Sequence, residues 1–320
     1  MDRDARVLVT GAGGFVGMRL VKALSADLRV ARILALGGAG ETGSDKVESA
    51  DVDVTTDELE AATARFLPTH VVHLAAISSV AASLQDRRGV MDVAALGALH
   101  LADAIACHAP EARVLFTSSA EVYGRAFASG VELDESSPVS PANPYARSKL
   151  ASEFLLADRL PSSASLIIMR PLNHIGPGQD TRFVVSAFAR QIAEIEYGVC
   201  DPVISVGNLD AQRDFLSVVD VIDAYVRGLF LPAASGSQET FNVSAGAVRS
   251  IRSVLDDLLA LSSVQCQVKV DPARLRPSDV PVTRLSSEKL RAATEWSPSG
   301  HWDVLLASIL DDQRRAVGEA

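Results

Sequence analysis

Hydrophobic residues along the chain fall in short unbroken runs that alternate with stretches of helical spacing. The run Arg6-Val-Leu-Val reads as a buried strand, and a helical pattern over 18–24 follows it. Val30-Ala-Arg-Ile-Leu-Ala-Leu repeats the strand pattern, and Asp51-Val-Asp-Val-Thr resembles a third strand. Further strands are expected at 69–76, 113–119 and 165–171, with helices over 87–108 and 145–160 between them. Continuous apolar runs suit strands covered on both faces, so the alternation predicts an α/β architecture with a doubly wound parallel sheet. After Pro171 the pattern loosens into Gly176-Pro-Gly, Asp201-Pro and Asp271-Pro-Ala-Arg-Leu-Arg-Pro, which suits a smaller C-terminal α/β lobe.

Between the first strand and its helix stands Thr10-Gly-Ala-Gly-Gly-Phe-Val-Gly, with Gly11, Gly14 and Gly17 at three-residue spacing. In a strand-to-helix turn such glycines permit a tight bend, close approach of backbone to a pyrophosphate, and close helix packing. The helix N-terminus then faces the negative charge. A dinucleotide site on a Rossmann-type sheet follows, although a purely structural turn uses the same residues. The second strand ends in Gly37-Gly38, where an acidic residue would hold the ribose hydroxyls of NAD. Arg29 and Arg32 lie at the start of that strand and do not form a clear pair for a 2′-phosphate, so NAD and NADP both stay open. In the third run Asp53 is the carboxylate chosen to meet the adenine amino group, while a helix N-cap role for a nearby Asp costs as little. The Gly-, Ser- and Thr-rich stretch 37–45 is expected to be a mobile loop near the adenosine end.

Candidate chemistry sits in Asn-Pro-Tyr-Ala-Arg-Ser-Lys, residues 143–149. Asn143 is a natural N-cap, Pro144 suits the first helical position, and Tyr145 and Lys149 share a face four residues apart. An ammonium beside a phenol favours the phenolate, which predicts a Tyr145 pKa below about 10 and a role in proton transfer. The pair alone fits an ordinary exposed helix equally well; the glycine turn and the upstream segment Phe-Thr-Ser-Ser-Ala-Glu-Val-Tyr-Gly, 116–124, change the picture.

With 320 residues the chain can bury a large core or carry two lobes. The expected division is 1–171 plus about 207–235 for the dinucleotide-binding domain, and 172–206 plus about 236–320 for the substrate lobe. The substrate then lies between them, outside the carboxyl ends of the strands. A net charge of -10 argues against nonspecific nucleic-acid binding. Cys107, Cys200 and Cys266 are far apart and lack metal-ligand spacing, which fits a reducing compartment and predicts no metal site. No apolar stretch of membrane-spanning length and no signal pattern is read, so a cytoplasmic location without membrane attachment is expected.

With these segments in view, the chain resembles the extended short-chain dehydrogenase/reductases of the NAD-dependent epimerase/dehydratase family. The resemblance rests on the glycine turn, His-Leu-Ala-Ala at 73–76, the segment ending in Tyr123-Gly124, and Tyr145 with Lys149. Within the family it is most similar to the GDP-sugar branch and its GDP-4-keto-6-deoxy-mannose reductases. That likeness is carried by the strings at 170–179, 183–195, 206–215 and 271–282. The resemblance implies NAD(P)H-dependent reduction of a 4-keto group, with a GDP-sugar as substrate. Ser119 would bond the substrate oxygen, Tyr145 would exchange its proton, and Lys149 would hold the nicotinamide ribose while lowering the phenol's pKa.

It also implies coenzyme contacts from Gly11, Gly14, Phe15, Val16 and Gly17, from Asp53 and Val54, from Leu74, Ala75 and Ala76, and from Pro171. Substrate contacts would come from Asn173, Val184, Arg190, Arg213 and Arg276. Guanidinium forks suit a diphosphate, while surface pairing of Arg213 with Asp210 or Asp214, and a turn role for Arg276, are the plainer alternatives. His73 reads as a residue serving a strand end, and His174, after a strand, as either a satisfied structural residue or a site residue. Glu121 stands where related 4,6-dehydratases carry the base that removes the proton beside the keto group, so a dehydratase remains an alternative, as does a nucleotide-sugar 4-epimerase or a binder without turnover. A structural carboxylate is a further alternative for Glu121. The resemblance further implies a homodimer through the helices that correspond here to 87–108 and 145–160, although the Ala- and Leu-rich face of the first would equally serve a monomer's core.

Overall fold

The computed structural model describes residues 4–38, 43–275 and 280–319. The first half of the chain alternates β1 (Ala5–Thr10), α1 (Phe15–Ala26), β2 (Val30–Leu36), β3 (Val47–Ala50), α2 (Glu58–Phe66), β4 (His70–His73), α3 (Val80–Gln85), α4 (Arg87–His108), β5 (Arg113–Thr117), α5 (Pro144–Arg159) and β6 (Ser165–Pro171). There follow β7 (Asn173–Ile175), α6 (Val184–Glu196), β8 (Val203–Val206), β9 (Gln212–Ser217), α7 (Val218–Leu229), β10 (Gln238–Val243), β11 (Val248–Ser250), α8 (Ile251–Ala260), β12 (Gln267–Val270), α9 (Glu288–Thr294) and α10 (Trp302–Gly318).

Seven strands form one parallel sheet in the order β10-β6-β5-β4-β1-β2-β3. Strand order reverses between β1 and β4, and the crevice at their carboxyl ends is where a doubly wound sheet takes its ligand. The strands are apolar on both faces because helices cover both: Val7, Val9 and Ile33 pack on the side of α1 and α7, and Leu8, Leu34 and Val71 on the side of α2 and α4. The smaller lobe has a separate core in which Val185, Phe188 and Ile192 of α6 meet Leu255 of α8 and Ile309 of α10.

Several expectations shift. The third strand is Val47–Ala50, with 51–53 in the loop after it, because Val47 to Ala50 extend alongside Ile33 to Leu36. The expected boundaries also move. β10 pairs with β6 in the large sheet although residues from about 236 were assigned to the smaller lobe, and β9 joins β7 and β11 in a three-stranded sheet although 207–235 were assigned to the larger. Strand partners lie far apart in sequence, so local pattern could not assign them. α4 has the length and apolarity to cross a membrane, contrary to the expectation of no such stretch. Here it packs against α2 and α5, and Ser152 Oγ of α5 donates to the Ala94 carbonyl at 3.0 Å. Of the expected loop 37–45, residues 39–42 lie outside the described residues.

Candidate active site

β1 ends in Thr10, whose buried hydroxyl is 2.8 Å from His73 Nδ1 and accepts the Ala75 N–H at 3.2 Å. The chain then turns at Gly11, with φ +67°, where a Cβ would lie 2.8 Å from the Ala75 nitrogen. A Cβ on Gly17 would come within 2.2 Å of the Gly11 carbonyl oxygen, so α1 packs directly on the turn. Gly13, which the three-residue spacing passed over, is the most confined toward β2: its Cβ would meet the Gly38 carbonyl oxygen at 2.2 Å. Gly14 caps α1 without any side-chain hydrogen bond, and no acidic residue occupies the first turn. An uncapped helix N-terminus walled by glycines fits a pyrophosphate. Phe15 of the first turn stacks on His174 with centroids 6.3 Å apart, and Arg19 lies 4.4 Å over the Phe15 ring. Val16 is half-buried beside it.

The second floor of the site is α5. Asn143 Oδ1 accepts the Ala146 N–H at 2.8 Å, and Pro144 opens the first turn, as the sequence predicts. Ser119 acts on the Tyr145 phenol across the site, and Ser119 Oγ accepts the Glu121 N–H at 3.2 Å. Lys149 is buried, donates to the Thr117 carbonyl at 2.7 Å and lies 5.1 Å over the Phe116 ring.

The electrostatics differ from the expected lowering. Burial pushes the Tyr145 phenol up to about 12, the Ser119 hydroxyl pulls it down and the Glu121 carboxylate pushes it up. Lys149 is not among the groups that set this shift; burial draws its own ammonium down to about 8 against the opposing field of Glu153, which leaves it charged at neutral pH. Tyr145 is therefore held as the phenol at neutral pH. Glu121 Oε2 accepts from Asn143 Nδ2 at 2.8 Å, which ties the carboxylate to the cap of the helix that carries Tyr145.

Asp53 folds onto its own loop, where Oδ1 accepts the Thr55 N–H at 2.9 Å and the Thr55 hydroxyl at 2.8 Å. Val54 packs toward α4, 3.2 Å from where a Gly97 Cβ would stand. Leu74, Ala75 and Ala76 follow β4 and are half-buried beside the glycine turn; Pro171 is buried at the end of β6.

In the smaller lobe Asn173 opens β7, pairs in register with Phe215 of β9 and is exposed. Val184 opens α6, whose N-terminus also lacks a side-chain cap. Arg190 donates to Glu194 at 2.7 Å on the same helix. Arg213 Nη1 donates to the carbonyls of Gln212 and Val280 at 2.8 and 2.7 Å. Asp214 points elsewhere, accepting the N–H groups of Ala245 and Gly246 at 3.2 and 2.7 Å. Arg276 lies outside the described residues. The sequence reading did not single out Thr10, Thr117, Glu153 and Arg170; only the i,i+4 spacing of Glu153 from Lys149 could have pointed to any of them.

A glycine turn at the switch point of a parallel sheet, facing a Ser-Tyr-Lys set, defines the class of nicotinamide-dependent short-chain oxidoreductases. The chain belongs to the NAD dependent epimerase/dehydratase family, whose sequence pattern matches residues 7–244. It is 33% identical to GDP-6-deoxy-D-mannose reductase of Pseudomonas aeruginosa over 98% of this chain and 99% of that one. It is 31% identical to UDP-glucose 4-epimerase of Mycolicibacterium smegmatis over 92% of this chain and 93% of that one. The solved structure of RMD from Pseudomonas aeruginosa complexed with NADPH superposes with a TM-score of 0.82 at 30% identity, covering 98% of this chain and 100% of that one.

Proposed function

We propose that this chain is an NAD(P)H-dependent reductase of the 4-keto group of a GDP-4-keto-6-deoxy-hexose, giving a GDP-6-deoxyhexose. The observation that carries the reading is the Tyr145 phenol, held protonated beside Ser119, in a chain similar over nearly its whole length to a GDP-6-deoxy-D-mannose reductase. When bound, the reduced nicotinamide supplies the hydride that adds to the carbonyl carbon. Ser119 and Tyr145 converge on the carbonyl oxygen, Ser119 steadies the negative charge that grows there, and Tyr145 gives up its proton to form the hydroxyl. Lys149 holds the nicotinamide ribose, and its positive charge eases departure of the proton from Tyr145. Gly11, Gly13, Gly14 and Gly17 admit the pyrophosphate to the start of α1. In the smaller lobe Asn173, Val184, Arg190 and Arg213, with Arg276, take the nucleotide diphosphate.

Two further parts of the reading concern assembly and place. We infer a homodimer formed through α4 and α5, supported by Leu96 and Phe154, which are 40% and 65% exposed on those helices. Phe154→Glu should then give a monomer by light scattering. A cytoplasmic location is supported by three cysteines that are all free.

The experiment is to mix the protein with NADPH, and separately NADH, and GDP-4-keto-6-deoxy-mannose made by an independent dehydratase. Loss of coenzyme absorbance with a 6-deoxyhexose product is expected and names the coenzyme. Conversion of GDP-mannose alone to the 4-keto compound would replace the reductase with a dehydratase using Glu121, and interconversion of 4-epimers without net oxidation would replace it with an epimerase.

A further inference from the structure

α5 carries a second buried charge one turn beyond Lys149 for which the hydride and proton transfers have no use. Glu153 and Arg170 are both buried, and the guanidinium grips the carboxylate twice, Nε to Oε1 at 3.0 Å and Nη2 to Oε2 at 2.6 Å. Ser118 Oγ, beside Ser119, also donates to Oε1. Arg170 Nη1 donates to the Tyr123 hydroxyl at 3.0 Å, which donates to Asn242 Oδ1 at 2.8 Å, and the Asn242 N–H reaches Glu135 Oε1 at 2.7 Å. This polar chain crosses the carboxyl ends of β5, β6 and β10. It reaches the loop where Leu133 exchanges backbone bonds with Arg284 and Ser286 at 3.1 and 2.8 Å.

A buried ion pair is a poor stabiliser, since apolar residues of similar volume commonly serve as well, so its place in the fold calls for another account. Residues i and i+4 share a helix face, which sets Glu153 against Lys149. Among the described residues Lys149 makes no ion pair; its ammonium donates to a neutral carbonyl. The titratable and charged groups around it are Tyr145 and Glu153 on α5, His73 on β4, Arg170 on β6 and Glu121 after β5. Of these, Glu153 is the carboxylate whose field favours the ammonium.

We propose that Glu153 and Arg170 are a positioning pair for Lys149: the carboxylate keeps the ammonium charged and fixed one turn away, and the guanidinium, with Ser118, sets how much of that negative charge Lys149 feels. The inference rests on the reading of Lys149 as the cation that serves Tyr145 and the coenzyme, but its test reads Lys149 itself. The 13Cε resonance of Lys149 is titrated in the coenzyme-free protein for the natural chain, Glu153→Gln and Arg170→Met, alongside the pH dependence of NADPH affinity by fluorescence.

Glu153→Gln leaves two buried cations without a counter-charge and should move the Lys149 midpoint down by about one pH unit or more. Arg170→Met releases the carboxylate toward Lys149 and should move it up by a similar amount. Ser118→Ala, which removes one donor to Glu153 and keeps both charges, should move it up by less and remains decisive if either larger change prevents folding. Unmoved midpoints, or shifts of one sign in both charge variants, would overturn the proposal. Failure of the natural protein to reduce the keto sugar would sink the substrate reading and leave these midpoints as they are.

Discussion

At the reacting end of the site the side chains are anchored to the interior of the seven-stranded sheet, whereas in the smaller lobe the candidate contacts sit on its margins. Lys149 reaches the Thr117 carbonyl, Ser119 Oγ holds the Glu121 N–H, and Asn143 holds both the start of α5 and Glu121. By contrast, Asn173 is exposed, Arg190 is held by a neighbour on its own helix, and Arg213 reaches backbone carbonyls of its own strand and of Val280. Proton transfer demands a fixed distance between acid and carbonyl oxygen, so the chemistry needs the rigid end. Recognition of a flexible diphosphate tolerates side chains that adjust. The difference teaches that lesions among Ser119, Tyr145 and Lys149 should fall on kcat and those in the smaller lobe on KM.

The largest effect should come from Tyr145→Phe, which removes the proton and leaves the ring. We expect kcat to fall by about a hundredfold to a thousandfold or more while NADPH binding, read by fluorescence quenching, stays intact. Loss of binding together with rate would mean that Tyr145 builds the coenzyme pocket instead of acting on the carbonyl. Next, Gly13→Ala would push a methyl into the Gly38 carbonyl, 2.2 Å away, so the turn must open. Coenzyme affinity should drop at least about tenfold, with a loss of roughly 1–3 kcal/mol in stability by urea unfolding.

Arg213→Ala sharpens the comparison from the other lobe. Its loss should raise the KM of the nucleotide sugar by about tenfold to a hundredfold and change kcat by only a few fold in steady-state assays. A kcat loss as large as that of Tyr145→Phe would erase the distinction between the two ends.

A smaller effect should appear as acid sensitivity of the rigid end. Burial lowers His73 to about 3, and Lys149 adds to that fall; burial lowers His70, also on β4, to about 4 with help from Arg113 and Arg29. Between pH 6.5 and these values the unfolded chain binds protons that the folded chain refuses, so stability falls as pH falls through that window. His73→Gln should flatten the slope of the urea midpoint between about pH 6.5 and pH 4, and an unchanged slope would show that His73 does not carry it.

Much of the scaffold was legible from local pattern. The helix Arg87–His108 and the strand Ser165–Pro171 appear with the bounds their apolar spacing predicts, because helix and strand periodicity are properties of neighbouring residues. The same holds for the Asn143 cap and for Tyr145 facing Lys149, which one turn of helix brings together. What local pattern missed depends on partners distant in the chain. The third strand was misplaced because its bounds are set by pairing with β2, and β10 was misassigned because its register with β6 has no local trace.

The sequence by itself determined the glycine turn, the order of strands and helices through β6, and the shared helix face of Tyr145 and Lys149, since short spacings along the backbone impose each of these. Tertiary structure decided the confinement of Gly13 against Gly38, the joining of Glu153 to Arg170 and the upward shift of Tyr145. Charge and space around a buried group are set by atoms that folding brings near it, and residues far apart in the chain supply most of them.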